Sequence, residues 1–411
     1  MSLVGIVAFI ALAWALSFDR RRFPWRVVLW GLALQFLIAL VILRTTPGRL
    51  VFDGFQTVVT RFIAFANEGN RFVFGPLAET QSMERAFGVG NSLVLVITIT
   101  GTIILVSSVS SLLYHYGILQ LVVRGIAWAM QRVMRTSGSE TLAAAANIFM
   151  GQTEAPLVVQ PYLARMTQSE LFCLMTSGFA TIAGGVLAVY TSDAMRIPAG
   201  MLLTASVMSA PAALMLAKIM RPETEVSETA AGAQATTERT TVNGLDAICQ
   251  GASDGMKLSL NVAAMLLSFA ALVALLNFLL SLVVNEVGWA TQRPLQEILG
   301  YLNTPFALLM GVPARDAQFI GQVLGERIVL NEFFGYLSLS KAQATLDPRS
   351  YQLATFALCG FANLASVAIQ IGGIGALVPE RRGDLARLGL RAMVAGLLAC
   401  YLTACVAGVL L

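Results

Sequence analysis

NIFMGQTEAPLVVQPYLARMTQSELFCLMTSGFATIAGGVLAVY, residues 147–190, sets Gln152, Thr153 and Glu154 beside runs apolar enough to lie in lipid. A carboxylate in such surroundings costs about 2.5–3.5 kcal/mol on insertion scales, so its presence points to a task. A second polar island, NEFFGYL, follows far downstream at 331–337. After each island an apolar segment carries the same tripeptide, Gly178-Phe179-Ala180 and Gly360-Phe361-Ala362. The offsets are similar, 24 residues from Glu154 to Gly178 and 28 from Glu332 to Gly360, so one design is used twice.

Of the 411 residues, 57% are hydrophobic and 12% charged, against about 25% charged in soluble domains, which marks a polytopic membrane protein. Lys and Arg exceed Asp and Glu only mildly, 27 to 23, and suggest no nucleic-acid partner. Five scattered cysteines form no CxxC pair, so neither a disulfide framework nor a zinc site is implied. The single histidine, His115, excludes a His-based triad or a multi-His metal site and reads as a packing residue. Residues 2–17 are apolar without a preceding basic cluster and read as the first membrane helix rather than a cleaved signal.

Runs long enough to span occur at 2–18, 27–43, 92–116, 168–190, 199–219, 258–284, 352–378 and 388–411. These give an all-α protein with eight transmembrane helices. Short cytoplasmic loops collect Lys and Arg. Arg20, Arg21, Arg22 and Arg26, then Arg124, Arg132 and Arg135, then Lys218, Arg221 and Arg239, then Arg381 and Arg382 all fall on one side if every span crosses once. Both termini are then expected outside. Val51, Phe55, Val58, Val59, Phe62, Phe65 and Ala66 recur at helical spacing opposite Asp53, Gln56, Thr57 and Arg61, which predicts an amphipathic helix along the membrane surface.

Segments 136–165 and 303–345 each begin apolar, reach a polar centre and turn apolar again, and neither half spans comfortably. Re-entrant hairpins explain them, since non-helical backbone at that depth is tolerated only inside protein or beside a water-filled cavity. One enters from the cytoplasm and the other from outside. Opposed hairpins followed by the shared Gly-Phe-Ala step make inverted-topology repeats with broken helices at the midplane, the signature of secondary transporters. The expected organisation is 1–90 peripheral helices, 91–135 a scaffold helix, 136–220 the first repeat, 221–243 a mobile polar linker on the cytoplasmic side, 244–300 a scaffold helix and 301–411 the second repeat.

The strings GQTEAP at 151–156, GFATIAG at 178–184, LNEF at 330–333, Tyr336, ALCGFAN at 357–363 and IQIGGIG at 369–375 resemble the concentrative nucleoside transporters over about residues 90–400. That family's GxKxxxNEFVAY pattern stands here as GERIVLNEFFGY, with Arg327, Phe334 and Gly335 departing from it. The resemblance implies a homotrimer in a bacterial inner membrane, an elevator-like alternation of a mobile domain against a scaffold, and coupling to sodium, or in some members to protons.

A nucleoside is neutral and rich in donors and acceptors, so its site needs amides and carboxylates rather than a cationic clamp. Gln152, Thr153, Glu154, Glu332, Asn363 and Ser366 supply them. By resemblance the first group addresses the base, with Val186 beneath it and Phe361 against the ring, and Glu332, Asn363 and Ser366 address the ribose. A cation needs hard oxygens. Asn147 and Thr181 offer side-chain oxygens, and the resemblance adds carbonyls near Thr176 and Ile182 around sodium. Alternative pairings of Glu154 with Arg165 and of Glu332 with Arg327 stay open, as do Asn147 and Thr181 serving only as helix-interface bonds. Outside nucleoside–sodium import, the competing readings are a proton-coupled nucleoside or nucleobase permease and a membrane-embedded enzyme using Glu154 and Glu332 as an acid/base pair. The enzyme reading lacks a nucleophile, a metal cluster and a phosphate-cradling loop, and leaves the repeats unexplained. A channel would need a repeated charged pore ring, and none is visible.

Overall fold

A computed structural model of the chain describes residues 1–87, 94–192, 195–230, 232–233, 241–284, 286, 291 and 293–411, and among these it is helical with no strand. In chain order the helices are α1 (Ser2–Ala15), α2 (Trp25–Arg44), α3 (Thr46–Phe74), α4 (Thr80–Phe87), α5 (Leu95–His115), α6 (Ile118–Met134), α7 (Gly138–Ala146), α8 (Ala155–Val158), α9 (Gln168–Ala180) and α10 (Gly184–Thr191). There follow α11 (Ala199–Met220), α12 (Gly244–Val284), α13 (Pro294–Met310), α14 (Ala314–Val329), α15 (Glu332–Ala342), α16 (Pro348–Leu358), α17 (Leu364–Leu377) and α18 (Arg382–Leu410). The order α5 to α11 is repeated by α12 to α18, with α9–α10 and α16–α17 each interrupted once.

Among the described residues six stretches are long and apolar enough to cross a membrane: α2, Val96–His115, Gln168–Thr191, α11, α12 and Pro379–Leu410. Helices α1 and α17 are apolar but shorter. Burial sorts them. Of the most apolar window, 89% is buried in α11 and 78% in each of the α9–α10 and α18 stretches, against 28% in α5, 22% in α2 and none in α12. The first group is therefore protein core. The second presents Leu, Val and Phe outward, as an apolar medium permits.

Several expectations change in detail. The second polar segment is not one hairpin over 303–345. Gly311, at φ 95°, ends α13 in the left-handed region, and α14 and α15 alone form the hairpin arms. The apolar run at 306–310 concealed that boundary. Helix α3 divides its apolar residues between two faces: Phe55, Val59 and Ala66 turn toward the core while Val51, Val58 and Phe65 are exposed. Its polar Gln56 accepts a bond from Gly200 N at 3.2 Å instead of facing away from the protein. The start of the expected third span, residues 92–93, lies outside the described residues, as do Arg239 and positions 231 and 234–240 of the linker. His115 does pack, its Nδ1 2.7 Å from Thr241 Oγ1.

The helix starts explain the fate of the linker. Helices α7 and α9 both open with capping boxes, Ser137 with Glu140 and Thr167 with Glu170. Residues 223–229 lie across these two starts. Thr229 O accepts from Gly138 N at 2.8 Å, Glu170 Oε1 accepts from Ser227 Oγ at 2.5 Å and from Thr229 Oγ1 at 3.1 Å, and Glu223 Oε2 accepts from Thr167 Oγ1 at 2.9 Å. Composition predicts a mobile segment here. Instead its Ser, Thr and Glu side chains satisfy helix-end groups. From α11, Lys218 Nζ reaches Glu140 Oε2 at 2.7 Å and Glu223 Oε2 at 3.2 Å, with Lys218 and Glu140 only 8% and 1% exposed.

Breaking one side of such a buried pair costs about 3–5 kcal/mol, whereas replacing both sides by apolar groups can be neutral. Lys218→Met should therefore lower the unfolding temperature in detergent strongly, and Lys218→Met with Glu140→Leu should recover most of the loss. Equal losses in the single and double variants would show the pair to be uncoupled.

Candidate functional site

Two helix interruptions build the site. Helix α9 ends at Ala180 because Thr181 takes extended backbone, φ −127° and ψ 167°. Helix α16 ends at Leu358 with Cys359 as its C-cap, and Asn363, extended at φ −138° and ψ 164°, starts α17 by accepting from Ser366 N at 2.8 Å. The two breaks meet. Phe361 N donates to Thr181 O at 3.3 Å, and a Cβ added at Gly360 would lie 2.7 Å from Phe179 O. The shared Gly-Phe-Ala step thus marks where two broken helices approach each other, a contact that only a small residue allows.

The hairpin tips close over this crossing. In the first hairpin, Phe149 O accepts from Gly184 N at 3.2 Å, which holds the tip against the α9–α10 break. Gln152 then reaches across to the second repeat: its Nε2 donates to Ser366 Oγ at 3.2 Å, and its Oε1 accepts from Gln370 Nε2 at 3.1 Å. Gln370 Nε2 also donates to Met175 O at 3.1 Å. In the second hairpin, Asn331 Oδ1 caps α15 by accepting from Phe334 N at 3.3 Å and so presents Glu332 inward. Glu332 Oε1 accepts from Tyr190 OH at 2.8 Å, and its Oε2 accepts from Asn363 Nδ2 at 3.1 Å. Tyr190 itself packs tilted against Tyr336 at 4.6 Å between ring centroids, and the Tyr336 hydroxyl donates to Thr355 O at 2.9 Å.

Gln152, Glu332, Asn363 and Ser366 therefore belong to one polar array that joins the repeats. Thr153 sits against α17, where a Cβ on Gly373 would meet its Cγ2 at 2.9 Å. Phe361 and Val186 are half-buried against the core. Glu154 stands apart. Its carboxylate folds over Gly151 and faces a cavity of about 570 Å³ between the first hairpin and helices α5 and α12, lined also by Ser107, Gln160, Gln250 and Asp254. Neither alternative ion pair forms. Arg165 pairs with Glu228 at 3.2 Å, and Arg327 Nη1 donates to Ala357 O at 2.5 Å.

For the cation, Asn147 caps α7 and donates through Nδ2 to Ala143 O at 3.0 Å, while its Oδ1 is buried with no hydrogen-bond partner. Ser177 Oγ is likewise buried and unpartnered. Thr176 and Thr181 hydroxyls donate to Phe172 O at 2.8 Å and Ser177 O at 2.9 Å, which leaves their oxygen lone pairs facing out. Ile182 lies buried within the break itself. Orphaned neutral oxygens beside a helix C-terminus fit a small hard cation. No cluster of His, Cys, Asp or Glu suited to a transition metal occurs among the described residues.

Tyr190 and Gln370 are missed by sequence reasoning. Gln370 carries a signal, a lone amide inside IQIGGIG; Tyr190, at the end of an apolar run, carries none. Of the residues departing from the family pattern, Gly335 sits where α15 closes on α16, a Cβ there falling 2.8 Å from Leu358 Cδ2. Phe334 packs edge-on against Phe333 at 6.3 Å.

Three family models match the chain: "Na+ dependent nucleoside transporter N-terminus" over residues 4–77, "Nucleoside recognition" over 96–195 and "Na+ dependent nucleoside transporter C-terminus" over 201–408. An uncharacterized transporter of Haemophilus influenzae is 41% identical, with 99% of this chain and 96% of that protein covered. Sodium/nucleoside cotransporter 1 of Rattus norvegicus is 39% identical over the whole chain, which spans 63% of that longer protein. The solved structure of CNTnw in an inward-facing substrate-bound state superposes with a TM-score of 0.92 at 38% identity, covering 99% of this chain and 96% of that one.

A Cβ at Gly178 would stand 2.7 Å from Gln370 Nε2 and 3.0 Å from Gln152 Cβ. Gly178→Ala should therefore cost about 1–3 kcal/mol by overpacking, read as a lowered unfolding temperature in detergent. The loss should shrink when Gln370→Ala is also present, and an undiminished loss would place the clash elsewhere.

Proposed function

The chain belongs to the family of Na+ dependent nucleoside transporters, and on that premise we propose that it is a secondary active importer driving uridine-like and purine nucleosides inward on a sodium gradient. The observation that carries this reading is the exchange of polar contacts between repeats: Gln152 with Ser366 and Gln370, and Tyr190 with Glu332. A neutral, hydroxyl-rich ligand entering between the hairpin tips finds amide and carboxylate groups already aligned and trades their mutual bonds for bonds to itself. Glu332, Asn363 and Ser366 take the ribose hydroxyls; Gln152, Thr153 and Glu154 take the base, with Val186 and Phe361 as its apolar walls.

Sodium is held by Asn147 Oδ1 and Thr181 Oγ1, with carbonyls at Thr176 and Ile182. Its charge offsets the C-terminal dipole of α9 and pins the tip of the first hairpin to the break. Gln152 lies five residues beyond Asn147 on that tip. Ordering the tip around the ion therefore presets Gln152 for the base, and by linkage the nucleoside tightens sodium by the same factor.

The hairpins α7–α8 and α14–α15 are re-entrant and oppositely oriented, and together with the broken helices they form a transport domain that moves as an elevator past α5 and α12. The cavity of about 570 Å³ lies on that seam, in the size range of small-molecule sites. The exposed apolar faces of α2, α5 and α12 serve lipid and the contacts of a homotrimer in a bacterial inner membrane. The basic loops lie on the cytoplasmic side and both ends of this chain on the other. A proton-coupled carrier is the second reading, favoured by the position of Glu154 on the cavity opposite Asp254.

Uptake of labelled uridine into proteoliposomes should collapse when potassium replaces sodium at fixed pH. Uptake that persists and follows an imposed pH gradient would transfer the coupling to a carboxylate. Glu332→Ala and Asn363→Ala should each abolish uridine binding while the protein still extracts as a monodisperse species, and normal binding by either would remove the ribose assignment. Loss of the ribose 3′-hydroxyl should cost far more than small changes on the base, by up to about 10⁴-fold, since buried polar groups would be left unpaired. Asn147→Ala should weaken the response to sodium; an unchanged response would move the ion site.

A further inference from the structure

Arg327 is buried to 0% exposure in the arm of the second hairpin, five residues before Glu332. Its Nη1 donates to Ala357 O at 2.5 Å and its Nη2 to Cys400 Sγ at 3.2 Å, while its Nε has no partner. No carboxylate lies within ion-pair distance of it among the described residues. The Glu332 carboxylate of the same hairpin acts on it from beyond ion-pair distance, and its donors must still be met in a site without water. The surrounding groups show what meets them. Ala357 belongs to the last turn of α16, and Cys400 Sγ donates in turn to Cys359 O at 3.3 Å and to Ala180 O at 3.5 Å, the last residue of α9. Both helices end at the crossing, and each C-terminus carries roughly half a negative charge on carbonyls that no further turn satisfies.

The end of the first hairpin arm carries no cation. That arm ends in neutral Asn147, seven residues before Glu154, and leaves Asn147 Oδ1 and Ser177 Oγ as buried acceptors without donors. One junction thus has oxygens lacking a cation; the other has a cation meeting carbonyls. We infer that Arg327 is a resident cation that fills, in the second repeat, the junction which the first repeat keeps for sodium, so that a single coupling ion serves the pair. This rests on the sodium reading given above. Arg327 touches neither substrate nor ion and acts as a positioning residue for the charge balance of the moving unit.

The test is the sodium dependence of uridine uptake in proteoliposomes, together with the charge moved per uridine at a clamped potential. The unaltered protein should show a Hill coefficient of about 1 and one charge per uridine. Arg327→Gln should need sodium at least about tenfold higher, with a Hill coefficient rising toward about 2 and a second charge moved per uridine. Arg327→Lys should keep the original values. Should Arg327→Gln aggregate, Arg327→Ala prepared with low-millimolar guanidinium chloride should regain folding and uptake, whereas equimolar urea, neutral and of the same shape, should not. An unchanged Hill coefficient in an active Arg327→Gln, or equal rescue by urea, would overturn the inference. Absence of any sodium dependence in the unaltered protein would instead remove the coupling reading on which it rests.

Discussion

A helix interrupted inside an apolar bundle exposes carbonyls and amides that water cannot reach, and each unsatisfied group costs several kcal/mol. Here that happens twice, at 181–183 and 359–363, and the two sites are brought together. Much of the centre of the molecule answers this constraint. The breaks bond to each other through Phe361 N and Thr181 O, Cys400 serves carbonyls from both, and Arg327 supplies donors to Ala357. Gly360 permits the backbone approach that lets the breaks satisfy one another, a Cβ there falling 2.7 Å from Phe179 O, while Gly178 leaves room for Gln370 and Gln152.

The polar array follows from the same geometry. Once the breaks cross, side chains at each hairpin tip fall against the opposite repeat, so Gln152 meets α17 and Glu332 meets Tyr190 of α10. Contacts of this kind hold the two repeats to each other. On the proposed transport function, a ligand that replaced them would alter what holds the two halves together, so that occupancy and conformation would share free energy, as coupling requires.

At the ends away from the crossing the problem is ordinary helix capping, and both repeats solve it with acids. Glu140 and Glu170 cap α7 and α9, and Thr229 and Lys218 complete their surroundings. In the second repeat Asp347 caps α16, and Asp316 Oδ2 accepts from Ser350 Oγ at 2.5 Å and from Asp347 N at 3.0 Å.

Composition, the spacing of GQTE and NEF from their Gly-Phe-Ala steps, and the scarcity of charge determined that this is a helical membrane protein built from two related halves, because lipid imposes its demands residue by residue along the chain. The same local pattern pointed to Gln152, Glu332, Asn363 and Ser366. It could not separate α13 from the second hairpin, since an apolar run reads alike on either side of Gly311. Nor could it show that 223–229 would be fastened down, since Ser, Thr and Glu look solvated until a helix start needs them. Partner choice belonged to the tertiary structure alone: Tyr190 with Glu332, Gln370 with Gln152 and Thr229 with Ser139 join residues 142, 218 and 90 positions apart. The sequence states which groups must find partners in a medium without water, and only the packing of broken helices decides which partners are within 3 Å or so.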